Sequence, residues 1–279
     1  MPADLRLVSL ANLDDVIQVM NDSSHTVLLR FNLDRAQFLA LSRFWDFSYN
    51  HSYIGYVGGE PAGIVLNSVD PDSREALSFY WGVMPAFRKR RLSMALAFRY
   101  LNQVRAEGYL RAHADAGADS PTAVYEKLGY RATQVLTQME SGAPQLPQQS
   151  SGCEIRHLEI EELLASREPF LSDPLYWAQR PRFLRHAAKM LEALGAYRAG
   201  SLVAYAVLTA WPGHTMFVEF QTTADDEAAG LDLLRYMTRE RYPAPLILSF
   251  IRWPSPMYAL LRKADFEETK RITSMTLEL

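Results

Sequence analysis

The segment from residue 141 to residue 152 constrains the fold more than any other feature of this sequence. It reads SGAPQLPQQSSG, so it offers almost nothing to bury and repeatedly interrupts helix and strand patterns. It also lies near the middle of a 279-residue chain, a length that at about 150 residues per domain favours two domains. We therefore predict a first domain at 1–140, a linker at 141–152 and a second domain at 153–279.

Hydrophobic periodicity predicts the same order of elements in both domains: strand, two helices, three strands, helix, strand, short helix and strand. In the first domain the segments after the two helices are 52–57, 61–69, 75–83, 89–107, 109–115, 121–128 and 130–139. In the second they are 195–199, 202–209, 215–222, 226–241, 245–251, 255–264 and 266–278. We predict an α/β (α+β) chain of two tandem copies, each with a mixed central sheet flanked by helices on both faces.

Composition excludes several classes of protein. A net charge of −3 and a pI of about 6.1 give no overall attraction to nucleic acid or to an anionic membrane. No apolar run reaches the roughly 18 residues that a membrane helix needs. Cys153 is the only cysteine and cannot form an intramolecular disulfide, and the chain starts without a signal-peptide pattern. We expect a cytoplasmic protein with no metal, no nucleic-acid partner and no membrane partner.

The run from Val83 to Ser93 carries the clearest chemical signal. A buried strand ends at Val83, and a basic turn leads from it into the helix predicted at 89–107. The turn and the helix start carry four consecutive basic residues, Arg88, Lys89, Arg90 and Arg91, followed by Leu92 and Ser93. The first N–H groups of a helix lack partners within the helix, and its dipole adds positive charge there. This pattern predicts a site for an anion such as a pyrophosphate. A basic, solvated helix start is the alternative.

At these residues the sequence resembles the GNAT superfamily of acyl-CoA-dependent N-acyltransferases. The family motif is a strand ending in Val-x-Pro, then a turn of the form Arg/Gln-x-x-Gly-x-Gly/Ala that opens a helix, and later a Tyr on a short helix before a Gly-aromatic pair. Val83 and Pro85 match the strand, Arg88 matches the turn, and Tyr125 precedes the pair Gly129–Tyr130. The resemblance implies an acetyl-CoA site formed by Val83, Arg88, Lys89, Arg90, Arg91, Leu92 and Ser93.

The sequence departs from the motif at its two glycines, which are replaced by Arg91 and Ser93. Glycine is favoured there because a Cβ can block a phosphate or strain a turn with positive φ. If the backbone at Arg91 is ordinary right-handed helix, its side chain can point outward and pair with a phosphate.

The resemblance also implies a mechanism. The backbone N–H of Val83 would hold the acyl oxygen, and Tyr125 would protonate the departing thiolate. A base for the acceptor amine is not evident, and the candidates are Glu75, His113 and Asp115, with a satisfied structural role as the alternative for His113. The implied reaction is transfer of acetyl from acetyl-CoA to a primary amine of a small molecule or peptide in a ternary complex. Aromatic residues of the implied acceptor region also suit a core: Phe31, Phe38, Phe44, Trp45, Phe47 and Tyr49.

The second domain differs at the equivalent turn, which reads Thr-Ala-Asp-Asp-Glu at 223–227. Carboxylates there cap their own helix and repel a pyrophosphate. We therefore predict a degenerate copy without a cofactor site, kept for packing, for pocket walls or for a homodimer. A catalytically silent binding or regulatory protein with this fold is the main alternative. Nucleic-acid binding through residues 88–91 is a weaker one, because four basic residues in an acidic protein make a small footprint.

Overall fold

The computed structural model describes residues 3–24, 31–117, 122–146, 151–171, 175–211, 214–223, 226–241 and 245–279. The chain forms two compact units. Unit 1 is Met1–Thr133 with Ile272–Leu279, and unit 2 is Gln134–Arg271. Each unit has its own buried apolar core. Among the described residues, no helix combines the length and the apolar character that crossing a membrane requires.

Unit 1 begins with a strand and two helices and continues with a three-stranded antiparallel meander. Its elements are β1 (Asp4–Leu7), α1 (Leu13–Ser23), α2 (Arg35–Phe44), β2 (Tyr53–Val57), β3 (Glu60–Asp70), β4 (Glu75–Val83), α3 (Leu92–Ala106), β5 (Arg111–Gly117), α4 (Thr122–Lys127) and the start of β6 (Arg131–Ser141).

Unit 2 repeats this order of elements, which confirms the predicted fold class. Its elements are β7 (Glu154–Leu158), α5 (Ile160–Ser166), α6 (Pro181–Ala187), β8 (Glu192–Arg198), β9 (Ser201–Trp211), β10 (His214–Thr222), α7 (Glu227–Arg241), β11 (Leu246–Arg252), α8 (Pro256–Lys263) and β12 (Glu267–Glu278). Within each unit the fourth and fifth strands are parallel, which makes both sheets mixed.

The local sequence explains where several elements begin and turn. Helix α2 begins where Asp34 Oδ1 accepts a hydrogen bond from the backbone N–H of Gln37, and the Gln37 side chain accepts one from the N–H of Asp34. The hairpin between β2 and β3 turns at Gly58 and Gly59, both with positive φ, as a two-residue turn requires. The hairpin between β8 and β9 repeats this geometry at Ala199–Gly200.

The last strand of the chain completes the sheet of unit 1. Residues Ile272–Glu278 of β12 pair antiparallel with Gly117–Arg111 of β5. The sequence predicts 130–139 as the closing strand of the first domain and 266–278 as the last strand of the second. In the structure both strands are divided: the end of β12 lies in unit 1, and most of β6 lies in unit 2, paired with β11. The predicted linker also differs at its start, since Ser141 ends β6.

The helices of unit 1 lie on opposite faces of the sheet. Leu96 and Leu101 of α3 pack with Ala112 and Ala114 of β5 in one buried cluster. On the other face, Tyr80 of β4 is hydrogen-bonded to Ser23 at the end of α1, with 2.9 Å between the hydroxyl oxygens. Neighbouring strand residues point to opposite faces except at a bulge, so the faces of β4 can be assigned residue by residue on each side of one.

Candidate active site

Strands β4 and β5 stop pairing before either strand ends. Their parallel ladder covers Glu75–Ser78 and Arg111–Ala114, whereas β4 continues to Val83 and β5 to Gly117. A β-bulge at Phe79 interrupts the pairing of β4 with β3 at the same level, because Ser78 pairs with Asn67 and Tyr80 with Leu66. Bulges bend a strand and re-aim its side chains. The two parallel strands therefore leave a gap between Phe79–Val83 and Asp115–Gly117.

Two backbone N–H groups of β4 point into this gap. Met84 N donates to Ala62 O at 2.9 Å, so the next pair, Gly63 with Val83, is a non-hydrogen-bonded pair of the antiparallel ladder. The N–H of Val83 therefore points away from β3, and by the same alternation so does the N–H of Trp81. Preorganised backbone N–H groups of this kind can stabilise an oxyanion.

Tyr125 lies beside the gap on the face of α3. Its hydroxyl donates to the backbone oxygen of Asp115 at 3.4 Å, and its ring packs edge-to-face on Trp81 and Tyr130, with centroid distances of 5.4 and 5.8 Å. Burial, with a smaller contribution from the negative charge of Asp115, holds the pKa of the Tyr125 hydroxyl above its ordinary range. The hydroxyl therefore carries its proton at neutral pH. Its ring also belongs to the apolar core, so packing and chemistry are compatible roles.

The Trp81 side chain provides an unused donor at the same place. Its indole Nε1 is buried and has no hydrogen-bond partner among the described residues. A buried donor without a partner costs about 1–3 kcal/mol, and most such groups are paired in native proteins. The site therefore fits a ligand that presents an acceptor, such as an amide or ester oxygen, next to Tyr125.

The turn before α3 combines positive charge with an uncapped helix start. Helix α3 begins at Leu92, three residues later than predicted, and no side-chain hydrogen bond caps it. The Arg90 guanidinium lies over the Phe87 ring, 5.5 Å from its centroid. Arg88 Nε donates to Val83 O at 3.2 Å and so joins the turn to the end of β4.

Arg91 adopts a backbone conformation that favours glycine. Its φ is +61° and its ψ is 12°, in the left-handed region. The backbone at Arg91 is therefore not right-handed helix, so the condition under which its side chain could point outward and pair with a phosphate is not met. The side chain leaves the backbone in a direction set by the left-handed geometry, at a cost of roughly 1–2 kcal/mol for a residue with a Cβ.

Glu75 and His113 are brought together, but in the paired part of the two strands. His113 Nε2 lies 2.9 Å from Glu75 Oε2, and His113 Nδ1 lies 3.0 Å from Thr276 Oγ1 of β12. Arg111 contacts both Glu75 and Glu278. Glu75 precedes Val83 by eight residues, about 26 Å along a strand. This placement favours a role in holding β12 for Glu75 and His113.

Asp115 is the candidate base that lies at the gap. It is the first residue of β5 after the last pair with β4, and its Oδ1 accepts a hydrogen bond from Ser274 Oγ at 2.7 Å. Ala114 and Ala116 point to the face of α3, so the Asp115 side chain points to the opposite face, the one that carries α1. Tyr125 and the Asp115 carboxylate thus approach the gap from opposite sides.

The aromatic residues of the predicted acceptor region lie mostly in the core. Phe38, Phe44, Trp45 and Phe47 are buried, whereas Phe31 and Tyr49 are partly exposed. Phe79, at the bulge, is partly exposed and packs on Trp45 and Phe47 with centroid distances of 4.8 and 4.9 Å. Phe79 therefore presents an aromatic surface at the level of Asp115.

The equivalent helix start in unit 2 is capped by its own carboxylate. Asp226 Oδ1 accepts a hydrogen bond from the N–H of Ala229 at 3.1 Å, and Asp226 Oδ2 pairs with Arg198. Glu227 lies 3.5 Å from Lys263. Ala224 and Asp225 lie outside the described residues. In the described part of the chain, no three His, Cys, Asp or Glu residues are grouped as metal ligands.

Comparison with solved structures identifies the fold. The chain is similar to a tandem GNAT protein from the clavulanic acid biosynthesis pathway, with a TM-score of 0.72, 15% identity and coverage of 99% of this chain and 98% of that one. It is also similar to a GCN5-related N-acetyltransferase from Sphaerobacter thermophilus, with a TM-score of 0.75, 15% identity and coverage of 99% and 95%. The chain has the tandem GNAT fold.

At 15% identity this likeness concerns the fold alone. A third structure, a GCN5-related N-acetyltransferase from Kribbella flavida, has a TM-score of 0.64 and the same identity, over 99% of this chain and 71% of that one. No protein-family model and no curated protein matches the sequence. The GNAT fold was predicted from residues 83–93 and 125–130, and the tandem arrangement from the repeated element order.

Sequence reasoning missed two residues of the site. Trp81 belongs to no motif, and its role depends on an indole N–H whose lack of a partner among the described residues is seen only in the folded structure. Ser274 lies 159 residues from Asp115 in sequence. In the structure the alternating polar residues of β12 lie opposite those of β5: Ser274, Thr276 and Glu278 opposite Asp115, His113 and Arg111. This alternation is a signal for Ser274 in the sequence, but it becomes informative only once the register of β12 is known.

Proposed function

We propose that unit 1 is an acetyl-CoA-dependent N-acetyltransferase that acts on a primary amine of a small molecule or peptide. The observation that carries the proposal is the early end of the β4–β5 ladder. It leaves the N–H groups of Trp81 and Val83 facing a gap beside Tyr125. Acetyl-CoA would supply an activated acetyl thioester at this gap.

The residues around the gap suit acetyl-CoA. The first N–H groups of α3 and the basic side chains of Arg88–Arg91 would bind the pyrophosphate. The Trp81 indole N–H would donate to an amide oxygen of the pantetheine arm, which removes the cost of its unpartnered burial. The Val83 or Trp81 N–H would hold the thioester oxygen.

The chemical step needs one bond made, one broken and two protons moved. The amine nitrogen bonds to the acetyl carbon while the carbon–sulfur bond breaks. Tyr125, whose raised pKa keeps its hydroxyl protonated, gives its proton to the thiolate and regains one from water. The amine loses a proton to water or to a carboxylate at the gap. The residues of the chain thus orient the groups and return one proton to sulfur.

Binding and turnover test the proposal separately. A site of micromolar affinity should stabilise the chain by about 4 kcal/mol in 1 mM CoA, measured by urea unfolding with and without the ligand. Release of free CoA thiol from acetyl-CoA in the presence of an amine panel measures transfer. Absence of any stabilisation by millimolar CoA would show the proposal to be wrong.

A catalytically silent CoA-binding or regulatory protein is the second candidate. The left-handed Arg91 favours it, because a Cβ at this place can hinder the approach of phosphate to the backbone. CoA binding without transfer to any amine, with Tyr125→Phe changing nothing, would support this candidate instead.

We further propose that unit 2 lacks a cofactor site, because the Asp226 carboxylate occupies the start of α7 where an anion would bind. The expected cytoplasmic location and homodimer stay predictions.

A further inference from the structure

The start of helix α3 packs on two glycines of the sheet. Gly55 of β2 pairs directly with Gly63 of β3, and Leu92, the first residue of α3, is buried over this pair. A methyl carbon on Gly55 would lie 2.8 Å from Leu92 Cδ1, and one on Gly63 would lie 3.0 Å from Leu92 Cδ2. Carbon atoms in contact normally lie about 3.5–4.0 Å apart. Leu92 therefore fits only because both residues lack a side chain, and we call the pair the glycine notch.

The glycine notch joins the start of α3 to the end of β4. Gly63 pairs with Val83 on its other side, and a methyl carbon on Gly63 would lie 3.2 Å from Val83 Cγ2. The N–H of Val83 points into the gap beside Tyr125, and the first N–H groups of α3 begin at Leu92. The depth of Leu92 in the notch therefore sets the distance between these two groups of donors.

Unit 2 matches the sizes of the same three positions in the opposite way. In both units the third pair of the first hairpin follows a bulge, and in unit 2 this pair is Ala196 with Ala204. Ala229 is the first buried apolar residue of α7, as Leu92 is of α3, and the three alanines are fully buried in one cluster. A large helix residue thus accompanies glycines, and a small one accompanies alanines. Unit 2 also shows that the hairpin forms with alanine at these positions.

We propose that the glycine notch and Leu92 are positioning residues for the acyl donor. They hold the start of α3 at the depth from which one acetyl-CoA molecule reaches both the helix N–H groups, with its pyrophosphate, and the N–H of Val83, with its thioester. The inference rests on the proposed acetyltransferase function and adds how its donor site is held. None of these side chains needs to touch the reacting atoms.

Calorimetry on the full-length chain tests the inference without turnover, with CoA and ADP as probes. CoA would contact both groups of donors, whereas ADP carries a pyrophosphate alone. Gly55→Ala moves the start of α3 outward by roughly 1 Å, since Leu92 is buried and contacts Gly63 as well. We expect the affinity for CoA to fall by roughly 10-fold, because its two ends no longer bind together, and the affinity for ADP to stay unchanged.

Two further variants separate positioning from a loss of stability. Leu92→Val shortens the helix side chain by one carbon, so adding it to Gly55→Ala should restore most of the CoA affinity. Val104→Ala removes buried methyl groups from the last turn of α3 and destabilises unit 1. Because it leaves the start of the helix in place, it should bind CoA as the wild-type chain does.

The inference is wrong if Gly55→Ala binds CoA as tightly as the wild-type chain. It is also wrong if the affinities for CoA and ADP fall by the same factor, or if the double variant binds CoA as weakly as Gly55→Ala does. In each of these cases a wild-type chain that binds CoA leaves the proposed function standing. A wild-type chain that does not bind CoA refutes the proposed function, and the inference with it.

Discussion

Arg91 has a backbone conformation that favours glycine over any residue with a side chain. Its left-handed conformation costs roughly 1–2 kcal/mol with a side chain present, whereas glycine avoids that cost. A glycine also loses roughly 0.5–1 kcal/mol through the entropy of the unfolded chain. We therefore expect Arg91→Gly to stabilise unit 1 by about 0.5–1 kcal/mol, measured by urea unfolding without ligand.

The neighbouring Arg90 is the control for Arg91. Its φ is not positive, so Arg90→Gly gains nothing in the folded chain and should destabilise unit 1 slightly. The expectation is wrong if the two glycine variants have the same stability. If the Arg91 side chain also hinders phosphate, Arg91→Gly should bind CoA more tightly than the wild-type chain.

Trp81 permits a test of the contact with the cofactor arm, because one substitution removes its hydrogen-bond donor and keeps an aromatic ring. Trp81→Phe removes the indole N–H and retains an aromatic ring against Tyr125. We expect CoA affinity, measured by calorimetry, to fall by roughly 5- to 30-fold, since the acceptor on the ligand loses its donor. The same substitution at Trp45, on the opposite face, should leave CoA affinity unchanged. Equal losses in both variants would point to a general packing defect.

How much of the site can be predicted varies from residue to residue. Val83 and Tyr125 are identifiable because short motifs place them on a strand end and a short helix, and the structure has both elements. Asp115 could only be named among three candidates. Its place at the gap depends on a bulge at Phe79 and on a strand about 160 residues away, and neither leaves a pattern in the local sequence.

At the scale of elements, the two units share irregularities as well as order. The bulge at Phe79 on β4 has a counterpart at Val218 on β10, and the parallel ladder of β10 with β11 is also short, ending at Phe217 and Leu248. Glu219 follows the bulge in unit 2 as Tyr80 does in unit 1. Element order could be predicted from periodicity, but these bulges could not. A bulge shifts the alternation by one residue, and residues 79–81 and 217–218 are apolar on both faces, so the shift leaves no mark in the sequence.

Glu219 forms a buried polar cluster that distinguishes unit 2. Arg167 Nη1 donates to Glu219 Oε2 at 2.7 Å, the Tyr205 hydroxyl donates to Glu219 Oε1 at 2.8 Å, and both charged side chains are at most 1% exposed. Burial raises the pKa of Glu219, although the charge of Arg167 opposes this shift. The carboxylate therefore depends on Arg167 to remain ionised inside the unit.

Removing one partner of this pair should lower the free energy of unfolding by far more than the intact pair adds to it. We expect Arg167→Met to destabilise unit 2 by about 3–5 kcal/mol, because it leaves Glu219 buried without a counter-charge. Replacing both partners, as Arg167→Met with Glu219→Leu, should recover most of that loss. Hydrogen exchange of the amides of β10 and α7 gives the local stability of unit 2.

An exposed pair provides the comparison for the buried one. Arg185 Nε and Glu161 Oε1 are 2.8 Å apart with side chains 55% and 68% exposed, so Arg185→Met should lower stability far less than Arg167→Met. If Arg167→Met costs no more than Arg185→Met, the buried cluster does not stabilise unit 2 as described.

At the scale of the whole molecule, the two ends of the sequence belong to one unit. Met275 and Leu277 of β12 are buried in the same cluster as Leu96 and Tyr100 of α3, and Leu279 N donates to Leu110 O at 2.9 Å. The sequence suggests a simple division at 141–152, because breakers and low hydrophobicity mark where a chain leaves one core. They carry no information about which sheet a distant strand joins, since any amphipathic strand fits several edges.

Removal of the last eight residues should therefore unfold the first part of the chain. A chain ending at Arg271 loses the strand that pairs with β5 and the side chains of Met275 and Leu277, each worth about 2–5 kcal/mol in a core. That loss is comparable with the whole stability of a domain. We expect hydrogen exchange in β4, β5 and α3 to become fast, and CoA to stabilise the chain no longer. Unit 2 keeps Gln134–Arg271 in this variant, so the amides of β9 and α7 should stay protected.

A double substitution of the exposed Glu278 and Arg111 to Gln serves as the control, because it removes their ion pair and leaves the core intact. Protection of β5 in the shortened chain equal to that in the full-length chain would mean that unit 1 folds without its last strand.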